Sequence, residues 1–180
     1  MNRNELEHII RAAAANSGDH EIVVIGSQAI LGQFPDAPRT LRQSMEADVY
    51  PRNFPERADV IDGAMGELSM FHQTFGYYAD GVGPHKAVVP SGWETRLIAV
   101  KNANTGGATG WCLEVHDLIL SKYAAFRDKD LAFAAEAVRL RLVRKTQLLR
   151  RLETLPVDPE LRVQIAQRIA LDFGAGQTRA

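Results

Sequence analysis

Apolar residues first recur at helical spacing, at Leu6, Ile9, Ile10 and Ala13, which predicts an amphipathic helix over about 4–16 that stops at Asn16-Ser17-Gly18. The period then changes. Ile22 to Ile25 is an unbroken apolar run and reads as a buried strand, followed by a Gly26-Ser27 turn and a short helix. Pro35 and Pro38 mark a loop from Gln33 to Thr40 that leads through Arg39 and Arg42 into a second strand, Ser44 to Tyr50. That strand alternates, with Met45, Ala47 and Val49 turned one way and Glu46 and Asp48 the other. Pro51 ends it, and Pro55 opens a helix over about 55–72, interrupted near Gly63 and Gly66. Phe75 to Gly81 fits a short strand or turn, its aromatic residues assigned to core packing. Ala87–Val89, Arg96–Val100 and Trp111–Val115 are three further strand candidates rich in branched residues. From His116, read as the start of a helix, the pattern stays helical over about 116–126, 129–143, 145–154 and 158–172, and the residues from Gly174 read as loose.

Strands first and helices afterward predict an α+β fold: a mixed sheet flanked by helices, with a C-terminal helical part. The expected organisation is a core over 1–115 and a helical region over 116–180 packed on it as one compact domain. A chain of 180 residues is long enough to bury a real core. The formal charge of −1 gives no general attraction to nucleic acid. The lone cysteine, Cys112, excludes a disulfide framework and a cysteine-rich zinc site, which suits a reducing cytoplasm. Asn2, Arg3, Glu5 and Glu7 make no signal-peptide pattern, and no apolar run approaches membrane-spanning length. The expectation is a soluble cytoplasmic protein without a membrane partner.

The candidate chemistry starts at Glu46 and Asp48. Acidic residues are disfavoured in strands, and two on one face repel unless a cation lies between them. Mg²⁺, or Mn²⁺ in its place, takes oxygen ligands of this kind together with the phosphates of a nucleotide. Gly26 lets the backbone approach a phosphate, and the start of the following helix offers N–H groups beside Ser27. Arg42 and Ser44, just ahead of the acids, join Gly26 and Ser27 as nucleotide-contact candidates, with Arg39 near them; a solvated arginine is the alternative.

The run Val-Val-Ile-Gly-Ser-Gln-Ala-Ile, followed by Ser44-Met-Glu46-Ala-Asp48-Val, resembles the nucleotidyltransferase superfamily that includes DNA polymerase beta. More narrowly, the chain resembles small bacterial nucleotidyltransferases related to AbiEii-type toxins, over roughly Ile22 to Val138. Two departures stand out: Glu46 occupies a position where aspartate is usual, and the superfamily's third acid has no fixed place. Asp80 is one candidate for it; Glu94, ahead of a strand expected near the carboxylates, is another, and either is equally a surface acid.

A second patch runs from His116 to Asp130. Lys122 lies in an otherwise apolar helix, so it either reaches out to solvent or meets a fixed negative group such as a phosphate. The resemblance implies that Lys122, Arg127, Lys129 and Asp130 face the active site. The alternative is that Asp128 or Asp130 caps the next helix with Arg127 and Lys129 solvated around it. Six basic residues, Arg139, Arg141, Arg144, Lys145, Arg150 and Arg151, form either a footing for RNA or a solvated helix face.

The resemblance implies transfer of a nucleoside monophosphate from a nucleoside triphosphate to a hydroxyl, with Glu46, Asp48 and Lys122 catalytic and release of pyrophosphate. The acceptor is a transfer-RNA end or other RNA, a protein side chain or a small molecule, and a toxin role would bring a cognate antitoxin. A second hypothesis is a fold that has lost catalysis and works as a nucleotide-binding or protein-interaction module. A third takes the Gly-Ser turn as a generic loop and the acids as a salt-bridged pair, with no nucleotide binding.

Overall fold

A computed structural model describes residues 1–175, with side chains through 174. The first helix, α1 (Arg3–Ser17), starts on a capping box in which the Asn2 side chain accepts from the Glu5 N–H and the Glu5 carboxylate accepts from the Asn2 N–H. It ends on Gly18 in the left-handed region, φ 69°, where a side chain would be strained. Leu6, Ile9, Ile10 and Ala13 are fully buried, as their spacing predicts.

Five strands follow, β1 (Glu21–Val24), β2 (Glu46–Pro51), β3 (Tyr78–Gly81), β4 (Ile98–Val100) and β5 (Thr109–Cys112). They form one mixed sheet in the order β3-β2-β1-β5-β4, parallel between β2 and β3 and between β1 and β5, antiparallel elsewhere. The central β1 is flanked on both sides, which is why Ile22, Val23 and Val24 read as an apolar run without alternation. The helices between the strands are α2 (Ile30–Gln33), α3 (Ala58–Met65) and α4 (Met70–Phe75). The fold is therefore α+β with a mixed sheet, flanking helices and a helical C-terminal part, as expected.

Several boundaries differ from the sequence reading. Ala87–Val89 is not a strand: the chain makes a tight turn over Pro84–Lys86, and Pro84 and Pro90 remove ladder donors on either side of the branched residues. The strand expected at Trp111–Val115 starts earlier, because Thr109 and Gly110 pair with Glu21 and Ile22, and Val115 already opens the next helix. Gly63 does not interrupt α3; Gly66 ends it. Gly174, expected to be loose, lies inside the last helix, whereas 176–180 lie outside the described residues.

The chain groups into two compact units, one of Met1–Ala87 with Arg96–Glu114, the other of Val88–Thr95 with the residues from Val115 onward. The second holds α5 (Val115–Ala125), α6 (Asp128–Arg139), α7 (Lys145–Leu152) and α8 (Pro159–Ala175). Its centre is α5, which buries Leu118, Ile119, Leu120 and Tyr123 together with two polar groups. Asp117, 0% exposed, takes Arg151 at 2.9 Å, and His116 accepts the Arg144 N–H at Nε2, 3.0 Å. The Tyr123 hydroxyl donates to Asp172, which also accepts from Arg168. Each buried polar atom named here has a partner, the condition under which such groups can be buried at all. Among the described residues, no helix is long and apolar enough to cross a membrane.

The β3–α3 contact sets a test. A Cβ at Gly81 would lie 2.0 Å from the Ala58 carbonyl oxygen and 2.7 Å from the Asp62 nitrogen, both backbone atoms that move only with the helix. Gly81→Ala is expected to lose roughly 1–3 kcal/mol of stability, the usual cost of overpacking, measured by denaturant unfolding.

Candidate functional site

The parallel register of β2 and β3 pairs Glu46 with Tyr78, Ala47 with Ala79 and Asp48 with Asp80. Because side chains alternate along a strand, Glu46, Asp48, Tyr78 and Asp80 share one face, while Ala47, Val49 and Ala79 fill the core on the other. Glu46, Asp48 and Asp80 each offer a carboxylate oxygen, all within 4.8 Å of one another, and all three residues are half-buried. Such crowding is unfavourable for anions. Burial first, then the charge of Glu46 and the hydrogen bond and charge of Asp62, push the Asp80 carboxyl above its ordinary pKa, against a smaller opposing effect of Lys86. Three hard oxygen donors with this mutual repulsion suit a divalent cation of the Mg²⁺ or Mn²⁺ kind.

The turn after β1 is built against the same acids. The Ile25 N–H donates to the Asp48 carbonyl at 3.0 Å, continuing the β1–β2 pairing into the turn. Gly26 then leads into a tight turn over Ser27–Ala29. Its φ of −79° is open to any residue, so the requirement for glycine is steric: a Cβ would lie 1.8 Å from Asp48 Oδ2. The Asp48 carboxylate thus lies directly on the turn backbone. Gln28, fully buried, donates from Nε2 to the Ser44 carbonyl at 3.2 Å. The Ser44 hydroxyl accepts the Glu46 N–H at 3.0 Å, fixing the start of β2. Arg42 lines a cavity of about 660 Å³ with Arg39, Thr40 and Gln43. Its Nε is buried and has no hydrogen-bond partner among the described residues.

Asp80 is therefore the acid that joins the pair from sequence. The strand after Glu94 does not lie near the carboxylates as expected: β4 is at the opposite edge of the sheet from β3, three strands from β2. Glu94 itself belongs to the second unit. Tyr78 is a residue that sequence reasoning missed, having been assigned to core packing with its neighbours. Its hydroxyl donates to Glu46 Oε2 at 3.4 Å, and burial, Glu46 and Glu67 push its pKa up to about 12, so it remains a donor at neutral pH. The signal was present: Tyr78-Ala79-Asp80 repeats the polar, alanine, acid alternation of Glu46-Ala47-Asp48.

In the second unit, Lys122, Arg127 and Asp130 come together. Lys122 Nζ lies 3.0 Å from Asp130 Oδ1, and the Arg127 Nε donates to Oδ2. The fixed negative group expected beside Lys122 is thus supplied by the chain. Burial acts to raise the Asp130 pKa, and the hydrogen bonds and charges of Arg127 and Lys122 outweigh it, holding the carboxyl below the usual range. Asp130 does not cap α6: the N-cap is Arg127, without a side-chain cap. Lys129 is exposed. In the basic stretch, Arg139 pairs with Glu136, Arg150 donates to Gln147 and Arg151 is committed to Asp117.

The family model described as "Nucleotidyltransferase of unknown function (DUF6036)" matches residues 4–164, a span that includes the Gly26 turn, all three carboxylates and the Lys122 patch. No curated protein and no solved structure matches the chain.

Two expectations follow from the charges. A carboxyl whose folded-state pKa is raised costs stability at pH values above that pKa, and the cost disappears as pH falls to where the group is protonated in both states. Asp80→Asn should therefore raise the melting temperature of the metal-free protein at neutral pH, with the gain shrinking on acidification. Lys122→Met removes one of two cations from an Asp130 that is 2% exposed, and should lower unfolding free energy by about 2–3 kcal/mol, read by chemical denaturation.

Proposed function

The chain belongs to this family of nucleotidyltransferases, and from that membership we propose a metal-dependent enzyme that moves a nucleoside monophosphate from a nucleoside triphosphate to a hydroxyl acceptor. The observation that carries the reading is the set of Glu46, Asp48 and Asp80 assembled on one sheet face against the Gly26 turn. These three carboxylates would hold Mg²⁺ or Mn²⁺, which when bound supplies charge neutralisation at the phosphates and acidifies the attacking hydroxyl. The Gly26-Ser27 turn, held against Asp48, is proposed to meet the β- and γ-phosphates through its backbone N–H groups and the Ser27 hydroxyl. The acceptor oxygen forms a bond to the α-phosphorus, the bond from that phosphorus to the bridging oxygen breaks, and pyrophosphate leaves. Asp80, beside Asp48 on the same sheet face, is proposed to take the hydroxyl proton. Lys122 and Arg127, both paired with Asp130, are proposed contacts of the phosphate tail on the strength of the family resemblance. The acceptor classes are an RNA end, a protein side chain or a small molecule. The likeness to AbiEii-type enzymes extends the proposal to a toxin with a cognate antitoxin.

A second reading, a nucleotide-binding module without catalysis, draws on Glu46 in place of aspartate. Asp80 beside the pair speaks for the enzyme, since the acidic set then numbers three.

The test incubates the purified chain with each α-labelled nucleoside triphosphate, Mg²⁺ and total RNA, following pyrophosphate release and the fate of the label. The enzyme reading expects transfer to an acceptor, reduced roughly a hundredfold or more in Asp48→Ala. Mg²⁺-dependent nucleotide binding with no pyrophosphate release would establish the binding module instead.

A further inference from the structure

Tyr78 lies two residues before Asp80 and directly across from Glu46, so its ring stands on the carboxylate face of the sheet. Its hydroxyl donates to Glu46 Oε2 at 3.4 Å. Behind it, the His72 ring of α4 packs against the Tyr78 ring, with centroids 4.7 Å apart and planes at 43°. His72 is fixed in turn from the loop between α3 and α4. Its N–H donates to Ser69 Oγ at 3.1 Å, and its Nδ1 accepts the Leu68 N–H at 3.1 Å. Leu68 holds φ at 65°, a left-handed conformation disfavoured for a branched side chain. At 76% exposed, its side chain gains little packing to offset that strain. What the conformation does provide is an N–H aimed at the His72 ring.

Glutamate carries one more methylene and one more rotatable bond than aspartate, so its carboxylate is harder to hold at a metal without an external anchor. We infer that Tyr78 is a positioning residue that fixes the Glu46 carboxylate beside Asp48 and Asp80, with His72 and the Leu68 N–H holding the Tyr78 ring in place. The inference rests on the carboxylate metal site proposed above. It assigns to the β3 edge of the sheet a role in shaping the metal site as well as supplying the third acid.

The test is Mn²⁺ affinity of the full chain, read from the free-ion electron paramagnetic resonance signal, for the wild type, Tyr78→Phe, Glu46→Asp and the double variant, with melting temperatures checking that each folds. Tyr78→Phe keeps the ring and removes only the hydroxyl. It should weaken Mn²⁺ binding by about tenfold, and His72→Ala should weaken it in the same direction by less. In the Glu46→Asp background, where the shorter carboxylate no longer reaches the hydroxyl, Tyr78→Phe should cause no further loss. Equal loss in both backgrounds, or wild-type affinity in Tyr78→Phe, overturns the inference. So does a Tyr78→Phe protein that binds Mn²⁺ normally but nucleotide weakly, because the hydroxyl then serves the nucleotide and not the metal site. Asp48→Ala separates the two levels: if it leaves Mn²⁺ affinity unchanged, the metal-site reading itself has failed.

Discussion

The Asp48 carboxylate occupies the volume that a side chain at residue 26 would need. This contact ties the exit of β1 to the acidic face of its sheet neighbour β2. The coupling is reinforced by the backbone, since the Ile25 N–H is bonded to the Asp48 carbonyl. Once the turn and the acid are fixed to each other, the parallel addition of β3 brings Asp80 beside Asp48 and Tyr78 beside Glu46 without further choice. The site is in this sense a consequence of strand register.

The same arrangement opposes stability. Three half-buried carboxylates lie within 4.8 Å of one another, and burial first, then the charge of Glu46, pushes the Asp80 carboxyl above its ordinary pKa. Other buried acids meet cations or amides directly: Asp117 with Arg151, Asp130 with Lys122 and Arg127, Glu7 with Arg3 and two asparagine amides. Three carboxylates gathered on one sheet face are where a ligand-binding role is expected. This grouping also explains why the cation class can be argued from the donor set, since oxygen-only ligands of this charge favour hard divalent ions.

Much of this was legible in the sequence because it depends on short-range pattern. The alternation of β2 places Glu46 and Asp48 on one face from period two alone, and the unbroken run of β1 marks a central strand. Asp80 was harder. Its strand has four residues, follows the Phe75-Gly76-Tyr77 run, and joins the sheet through a parallel pairing with a strand some thirty residues earlier. Gly26 reads from the sequence as a place where the backbone can approach a phosphate; the atom that demands a glycine there belongs to a side chain 22 positions away. For Lys122 the sequence leaves two outcomes, reaching out to solvent or meeting a fixed negative group; the second holds, with a partner that lies past a turn, where Phe126 has φ 53°. Tyr78 reads as one of several core aromatics, yet none of them is buried: Phe75 is exposed and packs with Tyr77 against His8 and Phe71, and only the cross-strand register puts Tyr78 beside the acids. Ala87–Val89 failed for the opposite reason: its composition favours a strand and its flanking prolines do not.

The central claim is that the acids on β2 and β3, held against the Gly26 turn, bind a divalent cation. The most direct measurement is anomalous diffraction from crystals of the wild-type chain soaked in Mn²⁺ with a non-hydrolysable nucleoside triphosphate. The account predicts an anomalous peak in contact with oxygens of Glu46, Asp48 and Asp80. An empty carboxylate cluster, with Mn²⁺ bound elsewhere or not at all, would contradict it.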